Sequence, residues 1–464
     1  MKLNNIKYVI AAGCIATAMT ATAQDTYSGY FLDNYTYRYQ MNPAMGNRSN
    51  FVSMPALGNL NLGMSGNIHL TSIVYNRTID GQKKTVLFTN PNVSVEEAMN
   101  GFKDVNRLGF NTKINILSGG WKAWGGYNTV SINARANADV HVPKSLMSLV
   151  KEGVSNQTYN IKDVRAQALG YAEIALGHSR DITPVPGLRA GINVKFLIGI
   201  ASAQLDLKDA YLDLGQDVWR ARTNGDLKVN LGKFQYDTKV SDEGRPYVSG
   251  ANMDGDGSVG PNGFGLAFDL GATYEWKDFT FSLAFNDLGF INYSKTKLAS
   301  TNGNRDFTSD AFIFNPDDDA PNSFDNEWKN MRDGLEKLYQ LDDMGETGGN
   351  TRTLGAVMNV GVDYKLPYYR RLHFGLLNHT VFNGPYTSTE FRLSANVCPV
   401  DIFSASVNVV AGTYGVGFGW LANLNLKKGF NLFVGMDRTC GKLAKQGVPL
   451  NSNMQVNFGI DFPF

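Results

Sequence analysis

Cysteine is scarce: the 464 residues hold three, and only Cys398 and Cys440 lie beyond Cys14. With no Cys-x-x-Cys and no Cys/His cluster, neither a zinc site nor a redox motif is indicated. An excess of one charge is missing too. Lys and Arg number 43 against 42 Asp and Glu, which argues against the basic footprint of a nucleic-acid binder. The five histidines, His69, His141, His178, His373 and His379, are scattered, and none stands near a Gly-x-Ser-x-Gly or similar nucleophile signal. His373 and His379 share a strand face but are too distant to ligate one metal. The expectation is that the chain is not an enzyme and carries no resident cofactor. Past residue 23 no stretch approaches the ~20 consecutive apolar residues of a transmembrane helix. A membrane-spanning form of this chain would therefore be a closed barrel, the other arrangement that satisfies its backbone in lipid.

What the sequence does contain begins with an export signal. Lys2 and Lys7 precede an apolar run over 8–20, and Ala21-Thr22-Ala23 offers a small-residue cleavage site. Residues 1–23 read as a cleavable signal peptide; Gly13-Cys14 leaves a lipoprotein alternative. The remaining composition is aromatic and glycine-rich, with 49 Gly, 27 Phe, 21 Tyr and only 18% charged residues. Together with many alternating segments this favours an all-β protein.

The clearest alternation is the last. In 454–464, Met454, Val456, Phe458, Ile460, Phe462 and Phe464 fall on one face, and Gln455, Asn457, Gly459 and Asp461 on the other. A sandwich strand alternates in this way, but seldom ends on an aromatic where fraying would wet it. In a barrel strand the apolar face meets lipid and the polar face a wet lumen.

Upstream, 25–56 is tyrosine-rich and aperiodic, with Pro43 and Pro55 against helix or central strand. The first strand is expected at 59–71, then a short helix at 93–102 capped by Ser94. Strands 107–117 and 126–140 follow around a turn at 118–121, then a small helix at 143–152. Strands 165–179 and 188–203 come next, and 208–237 is either a projecting ribbon or one more hairpin. After the pair 263–275 and 279–293, the polar stretch 294–350 is expected to lack strands and to carry one helix near 326–341. Six further strands between 354 and 438 precede the tail. With Phe464 on the periplasmic side, walking backwards puts most long loops outside and most short turns inside, as outer-membrane barrels do. The expected fold is a transmembrane antiparallel β-barrel of 14 strands, or 16 if 208–237 adds a hairpin, with short helices in its loops. Cys398 and Cys440 fall at opposite rims, so no disulfide is expected. Trp121, Trp124, Trp276, Tyr293, Tyr368, Tyr369 and Tyr414 sit at strand ends, as interfacial anchors would.

The most specific local motif is Asn252-x-Asp254-x-Asp256-Gly257-Ser258, the first half of a calcium loop. Position twelve is Gly263 instead of Glu. The letters fit either a weak structural calcium held by Asn252, Asp254, Asp256 and Ser258 or a solvated Asp/Gly loop. The run Asp317–Asp319 reads as solvated charge.

Three features carry a family resemblance: Asn42-Pro43-Ala44 in the leader, Gly-rich strands such as 265–271, and the ending Gly459-Ile460-Asp461-Phe462. The chain resembles PorP/SprF-type and FadL-type outer-membrane barrels, more narrowly a family known only as a domain of unknown function. The resemblance implies a leader at 24–57 inside or beneath the lumen as a plug. It also implies a barrel over 58–464 with a long extracellular loop at about 294–350, located in the cell outer membrane. The tail resembles the C-terminal strand that the barrel-assembly machinery recognises through a final Phe, here Phe464. Two functions are expected on this basis: a channel or transporter for small solutes, hydrophobic ones among them, or a structural or secretion-associated barrel that docks protein partners.

Overall fold

In a computed structural model, residues 25–153, 157–215, 218–241, 244–253, 260–309, 321, 323–426, 429–438 and 453–464 are described. Fourteen antiparallel strands close into a ring. Strand β1 is made of two pieces, Phe51–Ser53 and Leu60–Gly66, and is followed by β2 (Val105–Ala123), β3 (Gly126–Pro143), β4 (Arg165–Asp181) and β5 (Leu188–Leu214). Then come β6 (Gly263–Trp276), β7 (Phe279–Tyr293), β8 (Ala356–Lys365), β9 (Leu372–Phe382) and β10 (Ser388–Val400). The ring ends with β11 (Phe403–Gly412), β12 (Gly415–Asn425), β13 (Asn431–Arg438) and β14 (Met454–Pro463). Closure is direct: Leu60 pairs Phe458 on β14 and Ile114 on β2, so first and last strands meet.

Burial is inverted relative to a soluble protein. On β6, Phe264 is 69% exposed while Asp269 is fully buried. The same alternation runs along β14, where Gln455, Asn457 and Asp461 are buried and Val456 and Phe462 exposed. Apolar exterior and polar interior follow from one fact, that successive side chains point to opposite faces. A stacked second sheet would have buried the apolar side; none covers it among the described residues. No described helix is long and apolar enough to cross a membrane, which says nothing of crossing by strands.

Turns are tight at one end of the ring, such as Trp124-Gly125 and Lys277-Asp278, where Trp124, Gly125 and Lys277 hold positive φ. The β2–β3 turn comes at Trp124-Gly125, beyond the expected 118–121, because Ser118 to Ala123 continue the ladder opposite Gly126 to Ser131. Most long connections gather at the other, wide end. Of the expected aromatic anchors, Trp124 and Tyr368 are exposed at the tight end, but Tyr293 is a correction: its ring is buried and its hydroxyl donates to the Ala201 carbonyl at 3.0 Å.

The region 208–237 is a projecting ribbon. Strand β5 runs 27 residues, roughly 90 Å of contour at ~3.3 Å per residue. Its far half pairs with Trp219–Leu231, which pairs in turn with Thr296–Ser300 and Arg305–Ser309. The stretch 294–350, expected to lack strands, thus completes this outer sheet, joined by Asp342–Thr347 and with the helix Phe324–Tyr339 packed against it. The hairpin of Val74–Ile79 with Gln82–Leu87 was likewise not expected. The two hairpin strands have six residues each, and Thr296–Ser300 and Arg305–Ser309 five each, too few for a period to stand out.

Candidate functional site in the lumen

Residues 25–50 lie inside the ring. They make two short 3-10 turns, Tyr27–Gly29 and Thr36–Gln40, and pair with no strand. Tyr27, Tyr30, Phe31, Leu32, Tyr35, Tyr37, Tyr39 and Met41 are all buried, packed with Phe51, Leu377 and Phe433 of the wall. Each such side chain contributes about 1.5–3 kcal/mol by leaving water. The segment has no helix or sheet ladder, so its backbone groups need partners from the wall. Asn286 Nδ2 donates to the Met41 carbonyl at 2.9 Å, Asn359 Nδ2 to the same carbonyl at 2.9 Å, and Arg189 Nε to Ala44 O at 2.7 Å. The Asp437 carboxylate accepts the Tyr27 and Ser28 amides at 2.7 and 2.6 Å. Space for the chain comes from two wall glycines. A Cβ at Gly191 would stand 2.3 Å from the Pro43 carbonyl carbon, and one at Gly271 2.1 Å from Asn42 Oδ1.

Burial disfavours the charged form of Asp33 in this segment, yet Arg38, Lys365 and Arg48 outweigh it and hold the carboxyl below its ordinary range. Burial pushes the hydroxyls of Tyr35 and Tyr37 well above theirs, so both rings stay neutral.

Two belts of charge line the wall. The larger crosses five adjacent strands: Arg135 contacts Glu173 at 2.8 Å and Asp287 at 2.9 Å, and Lys195 contacts Asp269 at 2.7 Å and Asp287 at 2.6 Å. A β-bulge assembles it. Phe268 pairs with Leu288 and Leu270 with Phe285, so Asp269 faces both Asn286 and Asp287. Asp287 takes a φ of 58° and both residues are buried in the lumen; a bulge re-aims a side chain in this way. Asn286 then holds the inner segment while Asp287 holds the cations. The smaller belt joins Glu390 to Arg392 at 2.6 Å and to Arg438 at 3.0 Å.

Between the inner segment and the wide end lies a cavity of about 120 Å³. Its floor is Asp25, Tyr27 and Gln40, and its walls include Arg135, Asn137, Asp139, Lys195, Asp287, Tyr386 and Tyr414.

The residues singled out from sequence do not converge here. Asn252 is the penultimate residue of the outer strand Pro246–Met253, and its Nδ2 donates to Asp237 at 2.5 Å. Asp254, Asp256 and Ser258 lie outside the described residues, as do Asp317–Asp319 and Cys440. Cys398 has no disulfide partner among the described residues. His379 is buried in the wall, its Nδ1 2.9 Å from Asn359 Oδ1. The charged belts were missed, although Arg135, Glu173, Lys195, Asp269, Glu390 and Arg392 occupy the polar parity of otherwise apolar strands; Asp287 and Arg438 sit at register shifts that interrupt it.

The family whose description is "Family of unknown function (DUF5723)" matches residues 43–437. No curated protein matches the sequence. Among solved structures, the toluene transporter TodX of Pseudomonas putida is 9% identical, with 96% of this chain and 95% of that one covered and a TM-score of 0.37. A FadL homologue of Pseudomonas aeruginosa is 10% identical over 96% and 98%, with a TM-score of 0.36. The translocator domain of the autotransporter NalP of Neisseria meningitidis is 7% identical over 90% of each, with a TM-score of 0.32. The barrel is established by the closure of its own strands rather than by these loose overlaps.

Proposed function

The chain belongs to the family of unknown function DUF5723, and from that premise we propose that it forms an outer-membrane channel for small solutes in which residues 25–50 act as a plug. The outer-membrane placement is supported by the apolar exterior, the export signal at 1–23 and the tail ending in Phe464, which suits recognition by barrel-assembly machinery. One observation carries the channel reading: the inner segment is held by side-chain hydrogen bonds and ring packing, with no strand pairing to the wall. It is separable from the ring in principle, because the ring closes without it. The cavity above it is lined largely by charged, amide and phenol groups, so the solute proposed is polar; the apolar solute implied by the FadL-type resemblance suits this surface less well.

Planar-bilayer conductance tests the reading. The intact chain is expected to show little current, and a chain lacking residues 25–48 stable open steps. An intact chain as conductive as the shortened one, or a shortened but folded barrel without current, would end the plug idea.

A second reading is favoured by the outer sheet, which stands beyond the ring with a helix on it. In that reading, nearer to PorP/SprF-type barrels, the region 294–350 docks a secretion or structural partner. Extraction in mild detergent yielding only a lone monomer would count against it.

A further inference from the structure

We infer that the cavity above the inner segment is a binding site for a small cation bearing N–H donors, such as an alkylammonium. The inference rests on reading the lumen as a solute path, and names the class of solute its outer half selects.

Charge points first to a cation. The cavity wall presents Arg135 and Lys195 against Asp25, Asp139 and Asp287. Adding their ion-pair partners Lys113, Glu173 and Asp269 gives three cations against five carboxylates. Most of these carboxylates are committed to a neighbouring cation. Asp139 is different: one oxygen accepts from Gln167 Nε2 at 3.1 Å, and the carboxylate has no ion pair among the described residues. In a recess lined by low-dielectric protein walls, an excess of negative charge attracts a cation more strongly than it would in open solvent.

Hydrogen-bonding capacity points the same way. Asn111 and Asn137 are cross-strand partners on β2 and β3, and the side-chain oxygen of each is buried without a partner. Asp139 lies two positions along from Asn137 and therefore on the same face. Across the cavity the Asn286 oxygen is also buried and unpartnered, and its orientation is fixed because its NH₂ group donates to the Gln40 and Met41 carbonyls. A set of acceptors beside a carboxylate asks for donors carrying positive charge, and an ammonium group supplies three. Burying those oxygens unsatisfied costs free energy that such a ligand would recover.

The test compares three four-carbon probes on the purified full-length barrel in detergent, by isothermal titration: 1,4-diaminobutane, 1,4-butanediol and succinate. The diamine is expected to bind at least tenfold more tightly than either of the others. Asp139→Asn is expected to weaken the diamine tenfold or more, while Asp278→Asn, the same charge change at the far end, leaves it unaltered; heat-modifiable gel migration verifies that both variants are folded. Equal or tighter binding of the diol or of succinate, or an Asp139→Asn barrel that binds the diamine as well as the parent does, overturns the inference. The titration reads the closed state, so a failed plug reading would appear in the conductance of the shortened chain and a failed cation site only here.

Discussion

At the scale of single residues, the inner segment depends on a few wall side chains. Asp437 receives two amides at the start of that segment, and hydrogen bonds to a charged acceptor contribute about 1.5–3 kcal/mol. Asp437→Ala is therefore expected to speed hydrogen exchange at the Tyr27 and Ser28 amides by about ten- to a hundredfold, read by mass spectrometry. Unchanged exchange would mean that ring packing alone holds the segment. Asp33 makes a pH-dependent contribution. Its folded-state carboxyl is depressed by Arg38, Lys365 and Arg48 against the opposing effect of burial, so the stabilisation is fully present above the unfolded value near 3.8. It is lost as pH falls through the lower folded value. Protease sensitivity of the segment should rise only below about pH 4, and Asp33→Asn should remove that dependence.

At the scale of elements, what was legible was the strand whose two faces differ. The tail, β6 and β7 alternate Phe, Leu and Val against Asn, Asp and Gly, and their bounds in the structure are within one or two residues of those expected. The Ser94-capped helix was readable for a local reason: the Ser94 hydroxyl accepts the Glu97 amide at 3.1 Å. Very short elements were not readable, as in Thr296–Ser300 and Arg305–Ser309, where five residues are too few for an alternation to stand out. The bulge at Asp287 was hidden as well, because Asn286-Asp287 breaks the alternation by one residue and the break looks like noise until Asp269 is seen opposite both. The site was harder to read than the fold. Its residues come from the inner segment, from β2 to β7 and from the connections holding Tyr386 and Tyr414, and only closure of the ring brings them together. The outward face permits a direct check in the middle of an element. Phe285 stands on the apolar exterior of β7, and a charge there should cost about 2–4 kcal/mol near the bilayer midplane. Urea unfolding in lipid is expected to show that loss for Phe285→Arg; an unchanged midpoint would mean that this face does not meet hydrocarbon.

At the scale of the whole molecule, one physical inversion organises everything else. Polar residues fill the interior because the interior holds an unpaired segment and a recess that need donors and acceptors, and apolar residues cover the exterior because lipid offers none. Cysteine-directed nitroxide labels placed one at a time from Phe281 to Asn286, in a chain without other cysteines and reconstituted into liposomes, read this most directly. Oxygen, which partitions into lipid, should relax labels at 281, 283 and 285 strongly and those at 282, 284 and 286 weakly, while a water-soluble nickel complex reaches none of them well. Nickel accessibility at the odd positions, or oxygen accessibility without a two-residue period, would contradict the barrel as a membrane-spanning wall around an occupied lumen.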